Sequence, residues 1–124
     1  MALITLTEQN FEQTITDNDI VIIDFWAPWC GPCKSFGPIF EKASEKFSDI
    51  AFAKVNTEEE QALGGHFQIR SIPTTMIMKE QVIVFSQAGV LSEENIADIL
   101  GQVKELDMDK VRKEMQEQQA SQES

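Results

Sequence analysis

The sequence predicts an α/β sandwich built on a mixed sheet, and three features carry that prediction. Short apolar, β-branched runs alternate with stretches of helical periodicity along the first seventy residues. One run, Ile20–Trp26 (IVIIDFW), is nearly continuous in apolar residues, as a strand buried on both faces should be. Two strand candidates then follow in succession, with one helix after them. The expected order is β-α-β-α-β-α-β-β-α.

Ala2–Leu6 (ALITL) fits a first strand. Thr7 is a suitable N-cap for a helix through about Thr16, with Phe11 and Ile15 four apart on one face. Asp17-Asn18-Asp19 is a turn before the strand Ile20–Trp26, in which Asp24 is the single charge. Ala27–Pro32 leads into a helix from about Cys33 to Phe47, carrying Phe36, Phe40 and Phe47. Pro38 falls inside that helix and should kink it. Ile50–Val55 is the next buried strand, with Lys54 as its odd charge. Glu58–Leu63 reads as a short helix whose acidic start suits the helix dipole and which Gly64-Gly65 stops.

Ser71-Ile72-Pro73-Thr74 is a turn. Thr75–Met78 and Val82–Ser86 are strands joined through Lys79-Glu80-Gln81, which lacks the Asn-Gly pair a tight hairpin prefers. Ser92 caps a last helix with Ile96, Ile99, Leu100 and Val103 on one face. Residues 1–106 form the domain, and residues 107–124 are a polar, Gln-rich extension, helical or disordered. Met108, Val111 and Met115 fall at helical spacing there, so the extension either frays or docks those three on this domain or on a second copy.

A chain of 124 residues can bury one core without staples. The formal charge of −11 leaves −9 on residues 1–106, so the body itself is acidic. Such a surface repels nucleic acid and anionic membranes, and neither is an expected partner. No apolar run approaches the roughly 20 residues of a membrane span. The first residues lack a basic region and a long apolar stretch, which places the protein in the cytoplasm as an expectation. Two cysteines are too few and too close for a secreted disulfide framework. With one histidine they make three N/S ligands, one short of a structural zinc site, so no metal is expected.

The chemistry concentrates at Cys30-Gly31-Pro32-Cys33, at the junction of a strand and a helix. Residues i and i+3 share a helix face and can reach a disulfide. Pro32 suits the first helical turn, where its missing N–H costs nothing. Cys30 then stands at the helix N-terminus, where free N–H groups and the positive dipole end stabilise a thiolate. An ordinary thiol, pKa ~8.5, is only about 3% thiolate at pH 7, so this lowering matters for exchange. Cys33, one turn in, should be more buried and more protonated.

The stretch Val21–Lys34 (VIIDFWAPWCGPCK) resembles the active-site segment of the thioredoxin family. So do Ala53–Asn56 (AKVN), Ile69–Thr74 (IRSIPT) and Ala88-Gly89, in the same order along the chain. The resemblance runs from about Leu3 to Leu106. It implies the thioredoxin fold, a central mixed sheet of about five strands flanked by helices on both faces. It further implies that Cys30 is the attacking nucleophile and Cys33 the resolving thiol. By the same resemblance Asp24 is a buried carboxylate moving a proton to and from Cys33, Lys54 is its neighbour, and Pro73 is a cis proline facing the disulfide. Trp29, Gly31, Pro32, Ile72, Ala88, Gly89 and Val90 resemble the surface that docks substrate polypeptide.

The implied activity is reduction of protein disulfides by a monomer that binds no cofactor and holds a redox-active disulfide. A separate flavin-dependent reductase would restore the dithiol. Gly31-Pro32 between the cysteines resembles the reducing members. Ser71, Thr57-Glu58 and Glu80-Gln81 depart from the usual family residues. Two alternatives stand beside the general reductase: a donor dedicated to one target enzyme, and a binding module that engages a partner whatever its redox state.

Overall fold

The computed structural model describes residues 3–123, with side chains to residue 119. Five strands form one sheet in the order β1-β3-β2-β4-β5. β1 (Ile4–Thr5) and β2 (Ile20–Trp26) run parallel to β3 (Ala51–Asn56). β4 (Thr74–Lys79) runs antiparallel to β2, and β5 (Val82–Ala88) antiparallel to β4. This is the expected mixed sheet. The first strand is shorter than ALITL suggests, and Ala2 lies outside the described residues.

Strand alternation divides the core into two layers. Ile20, Ile22, Phe52 and Ile77 face α2 (Gly31–Lys46) and α4 (Glu93–Lys104), where Phe36, Phe40, Ile96, Leu100 and Val103 meet them. Val21, Ile23, Phe25, Ala53, Val55 and Met76 face the opposite side, against Phe11 and Ile15 of α1 (Phe11–Asp17) and Leu63 of α3 (Gln61–His66). Burial of every β2 residue up to Phe25 follows from this double cover.

Several expectations are corrected. The first helix begins at Phe11 and not at Thr7, because Thr7 and Asn10 close a turn on each other: the Thr7 N–H donates to Asn10 Oδ1 at 2.7 Å and the Asn10 N–H to Thr7 Oγ1 at 3.3 Å. α2 starts earlier than expected, at Gly31, and ends at Lys46 with Pro38 inside it. α3 is displaced towards the C-terminus. The Asn56 carbonyl accepts from the Glu59 and Glu60 N–H groups, holding Glu58–Glu60 in a turn before the helix. Gly64 and Gly65 therefore lie inside α3, and Gln68 (φ 54°) supplies the left-handed residue after it. The hairpin after Lys79 is tight although it lacks Asn-Gly: Glu80 (φ 50°) and Gln81 (φ 67°) both adopt the left-handed conformation. The Glu80 N–H is held by the Asp19 carbonyl at 2.8 Å.

The extension forms α5 (Met108–Glu123). Met108 is buried and Arg112 pairs with Glu80 of the hairpin. Met115 is exposed, so only the first part of the Met108–Val111–Met115 seam docks on this chain.

Candidate active site

The carboxyl ends of β2 and β3, the start of β4 and the end of β5 meet at one pole of the sheet. The register fixes this: Trp26 is paired with Asn56, Phe25 with Thr74, and Thr74 with Ala88. The loop after β2 drops into α2, and Cys30 is the N-cap of that helix. The Cys33 N–H donates to Cys30 Sγ at 3.2 Å, so the sulfur takes the place of an oxygen cap. Pro32 occupies the first turn, where no N–H partner is lost. Cys30 and Cys33 are joined in a disulfide with their Cα atoms 5.2 Å apart.

Cys33 is not more buried than Cys30. Both are 4% exposed, because the disulfide draws the two sulfurs into one packed cluster with Ala27, Trp26 and Ile72. What separates them is the N–H directed at Cys30 Sγ, which favours charge on that sulfur once the bond is reduced.

The Ile72–Pro73 peptide bond is cis, and the Ile72 carbonyl oxygen lies 3.8 Å from Cys30 Sγ. The Pro73 carbonyl accepts the Gly89 N–H at 2.8 Å. Gly89 has φ 106°, a conformation for which glycine is suited, and it folds Ala88-Gly89-Val90 back beside the proline. Trp29 and Val90 are exposed, as are Gly31, Pro32, Ala88 and Gly89, and Ile72 is half-buried. The residues singled out as a substrate-docking surface therefore share this pole.

Asp24 lies one layer below, on the side of the sheet that faces α2 and α4. It is fully buried and neither carboxylate oxygen has a hydrogen-bond partner. Register places Lys54 beside it on β3 and Thr75 on β4. Lys54 Nζ stands 3.9 Å from Asp24 Oδ2 and 4.9 Å from the centroid of the Trp26 ring. Gly37 of α2 leaves room above it: a Cβ there would sit 3.8 Å from the ammonium. Burial pushes the Asp24 carboxyl up to about 6, and the Lys54 charge pulls the other way. A carboxyl at that value exchanges protons near neutral pH.

Two neighbours of the site are not singled out by the sequence. The Glu58 carboxylate accepts the Trp29 indole N–H. Thr75 is fully buried beside Asp24 with its hydroxyl unpaired. Neither carries a signal along the chain, since both are placed by packing between distant segments. Among the described residues no group of three or more His, Cys, Asp or Glu side chains could hold a metal ion. Nor is any helix among them long and apolar enough to cross a membrane.

Comparison with known proteins agrees with this geometry. The sequence model of the family described as Thioredoxin matches residues 2–102. The Putative thioredoxin 2 of Streptomyces coelicolor (strain ATCC BAA-471 / A3(2) / M145) is 56% identical over 117 residues, covering 94% of this chain and 87% of that protein. The thioredoxin of Haemophilus influenzae is 34% identical over 99 residues, 78% of this chain and 92% of its own. Among solved structures, a mutant thioredoxin from Halobacterium salinarum NRC-1 superposes with a TM-score of 0.77 at 31% identity, covering 85% of this chain and 92% of that one. With its fold, its Cys30–Cys33 disulfide and its sequence in agreement, the chain belongs to the thioredoxin family of thiol–disulfide oxidoreductases, which act on disulfide-containing proteins.

Proposed function

We propose that the chain reduces protein disulfides with Cys30 as the attacking thiolate, Cys33 as the resolving thiol and Asp24 as the carboxyl that moves a proton to and from Cys33. The observation that carries the reading is the Cys33 N–H held 3.2 Å from Cys30 Sγ at the head of α2, above a carboxyl that no hydrogen bond satisfies. Reduced Cys30 attacks one sulfur of a substrate disulfide. That bond breaks, a mixed disulfide forms, and the departing substrate sulfur takes up a proton. Cys33 passes its proton to the Asp24 carboxylate, attacks Cys30 Sγ and releases the second substrate thiol. Two electrons have moved to the substrate, and Cys30–Cys33 is oxidised. Lys54 lowers the energy of the ionised Asp24, and Pro73 holds the Ile72 carbonyl against Cys30.

Substrate polypeptide lies over Trp29, Gly31, Pro32, Ile72, Ala88, Gly89 and Val90. A separate flavoenzyme reductase regenerates the dithiol, because the chain carries no nucleotide-binding motif of its own. The protein works as a cytoplasmic monomer. Residues 1–106 form the redox domain, and residues 107–124 extend it without joining the chemistry.

Trapping tests the division of labour. Cys33→Ser should accumulate substrate linked through Cys30, visible as a shifted band that dithiothreitol removes. Cys30→Ser should trap nothing. If Cys30→Ser traps substrate and Cys33→Ser does not, the two roles are reversed.

A further inference from the structure

Thr75 is fully buried in β4, and its hydroxyl has no partner. Valine has nearly the same shape and would bury no unpaired polar group there. The threonine before it differs: the Thr74 hydroxyl donates to the Ser71 carbonyl. β4 lies between β2 and β5, so the backbone groups around Thr75 are taken up by the ladders on both sides. A partner for its hydroxyl has to come from a side chain.

The neighbours sort by what they offer. Asp24 is the register partner of Thr75 on β2, so both stand on the face covered by α2 and α4. Lys54 is beside Asp24 on β3, and Trp26 is two residues further along β2. The Lys54 ammonium and the Trp26 indole N–H are donors only. Gln87, across from Thr75 on β5, is exposed to water. α2 and α4 cover this face with Phe36, Phe40, Ile96 and Leu100, none of them titratable, and the cysteines at the head of α2 hold no proton while joined. The Asp24 carboxylate is the buried acceptor in this set, and both of its oxygens are unpaired. Across such a pair the Cβ atoms stand about 5 Å apart, which puts hydroxyl and carboxylate one side-chain rotation from a hydrogen bond.

Resting on the reductase reading above, we infer that Thr75 is a positioning residue for Asp24, its hydroxyl donating a hydrogen bond to the carboxylate whenever Asp24 is ionised. The bond favours the charged form, so it works against burial and keeps the carboxyl able to release its proton near neutral pH. Lys54 acts in the same direction through its charge.

The test uses the full oxidised chain, in which the cysteines do not titrate, and follows the Asp24 carboxyl carbon by NMR against pH. Thr75→Val keeps the shape and removes the donor, and its midpoint should lie above the parent's by roughly one pH unit. Thr75→Ser keeps the donor and should return to the parent's midpoint. In the reduced chain, the acid limb of the resolving phase in a single-turnover reduction of insulin should move up with Thr75→Val and back with Thr75→Ser. In the parent itself the Thr75 hydroxyl proton should move downfield as Asp24 ionises, a reading that needs no variant. A Thr75→Val midpoint at or below the parent's, a Thr75→Ser midpoint that follows valine, or a hydroxyl proton indifferent to the Asp24 titration would each overturn the bond. A raised midpoint with an unmoved acid limb would overturn its part in the reaction. Failure of the parent chain to reduce insulin would instead overturn the reductase reading, and the carboxyl titration would still decide the bond.

Discussion

Two charged side chains are buried on the same face of the sheet, and they are buried in opposite ways. Asp24 sits at the disulfide pole with no hydrogen bond to either oxygen. Lys79 sits at the other end of β4, where its ammonium donates to the carbonyls of Val103 (2.8 Å), Lys104 (3.1 Å) and Leu106 (3.1 Å). β2 pairs Asp24 with Thr75 and Ile20 with Lys79, so four residues of strand, about 13 Å, separate the two levels. Lys79 adds a donor to three carbonyls at and just past the end of α4, of which that of Val103 also accepts the Glu105 and Leu106 N–H groups, and its positive charge meets the negative end of that helix. Asp24 satisfies nothing. A buried charge with all its partners is architecture. A buried charge without them is a cost the fold carries elsewhere, and here it lies two residues from the end of the strand that leads to Cys30.

The sharpest way to break this contrast is Lys79→Met. The apolar stem is kept while the carbonyls of Val103, Lys104 and Leu106 lose the ammonium, and the chain should lose roughly 3 kcal/mol of stability. Urea unfolding measures it, and an unchanged midpoint would mean that water replaces the ammonium at no cost. The rate of disulfide reduction should stay the same.

Asp24→Asn should do the reverse. The folded carboxyl titrates near 6 and the unfolded one near 3.8. Between those values the native state holds a proton that the unfolded state has released, so the parent chain loses stability as pH rises. The loss is complete above about pH 6 and amounts to on the order of 3 kcal/mol. In Asp24→Asn that fall should vanish, and the two unfolding curves should run parallel below pH 4. Resolution of the mixed disulfide should slow as well, without an equal effect on the first attack. A parent stability that rises between pH 4 and 6 contradicts the assignment.

Smaller effects sharpen the structural pole. Gln81→Gly removes a side chain from a left-handed position and should stabilise the hairpin by about 1 kcal/mol in thermal unfolding. Arg112→Ala breaks an exposed pair with Glu80. Its expected result is faster amide exchange around Val111 with no change in the global unfolding midpoint.

The two poles are also unequally legible in the sequence. The disulfide pole is written locally: Cys30, Pro32 and Cys33 lie within one turn, and Asp24 interrupts a run otherwise fit for double burial. Lys79 reads along the chain as an ordinary polar residue at a hairpin, and only the packing of α4 across β4 shows what its ammonium meets. The same holds for Thr75 and Glu58, which other segments bring to the site. Gly64-Gly65 reads as a helix stop because glycine is common there. The Asn56 carbonyl moves the helix three residues along, and the glycines fall inside it. Strand and helix identity follow periodicity, but boundaries follow single hydrogen bonds that periodicity does not encode.

The fifth helix leaves the body at Met108 and Arg112, beside the hairpin of Glu80 and far from Cys30. Its 16 residues make a rod about 24 Å long. It is thus a stalk mounted on the back of the molecule. Cargo attached along its exposed residues would sit at the hairpin end of the molecule, the end of β4 opposite the disulfide pole.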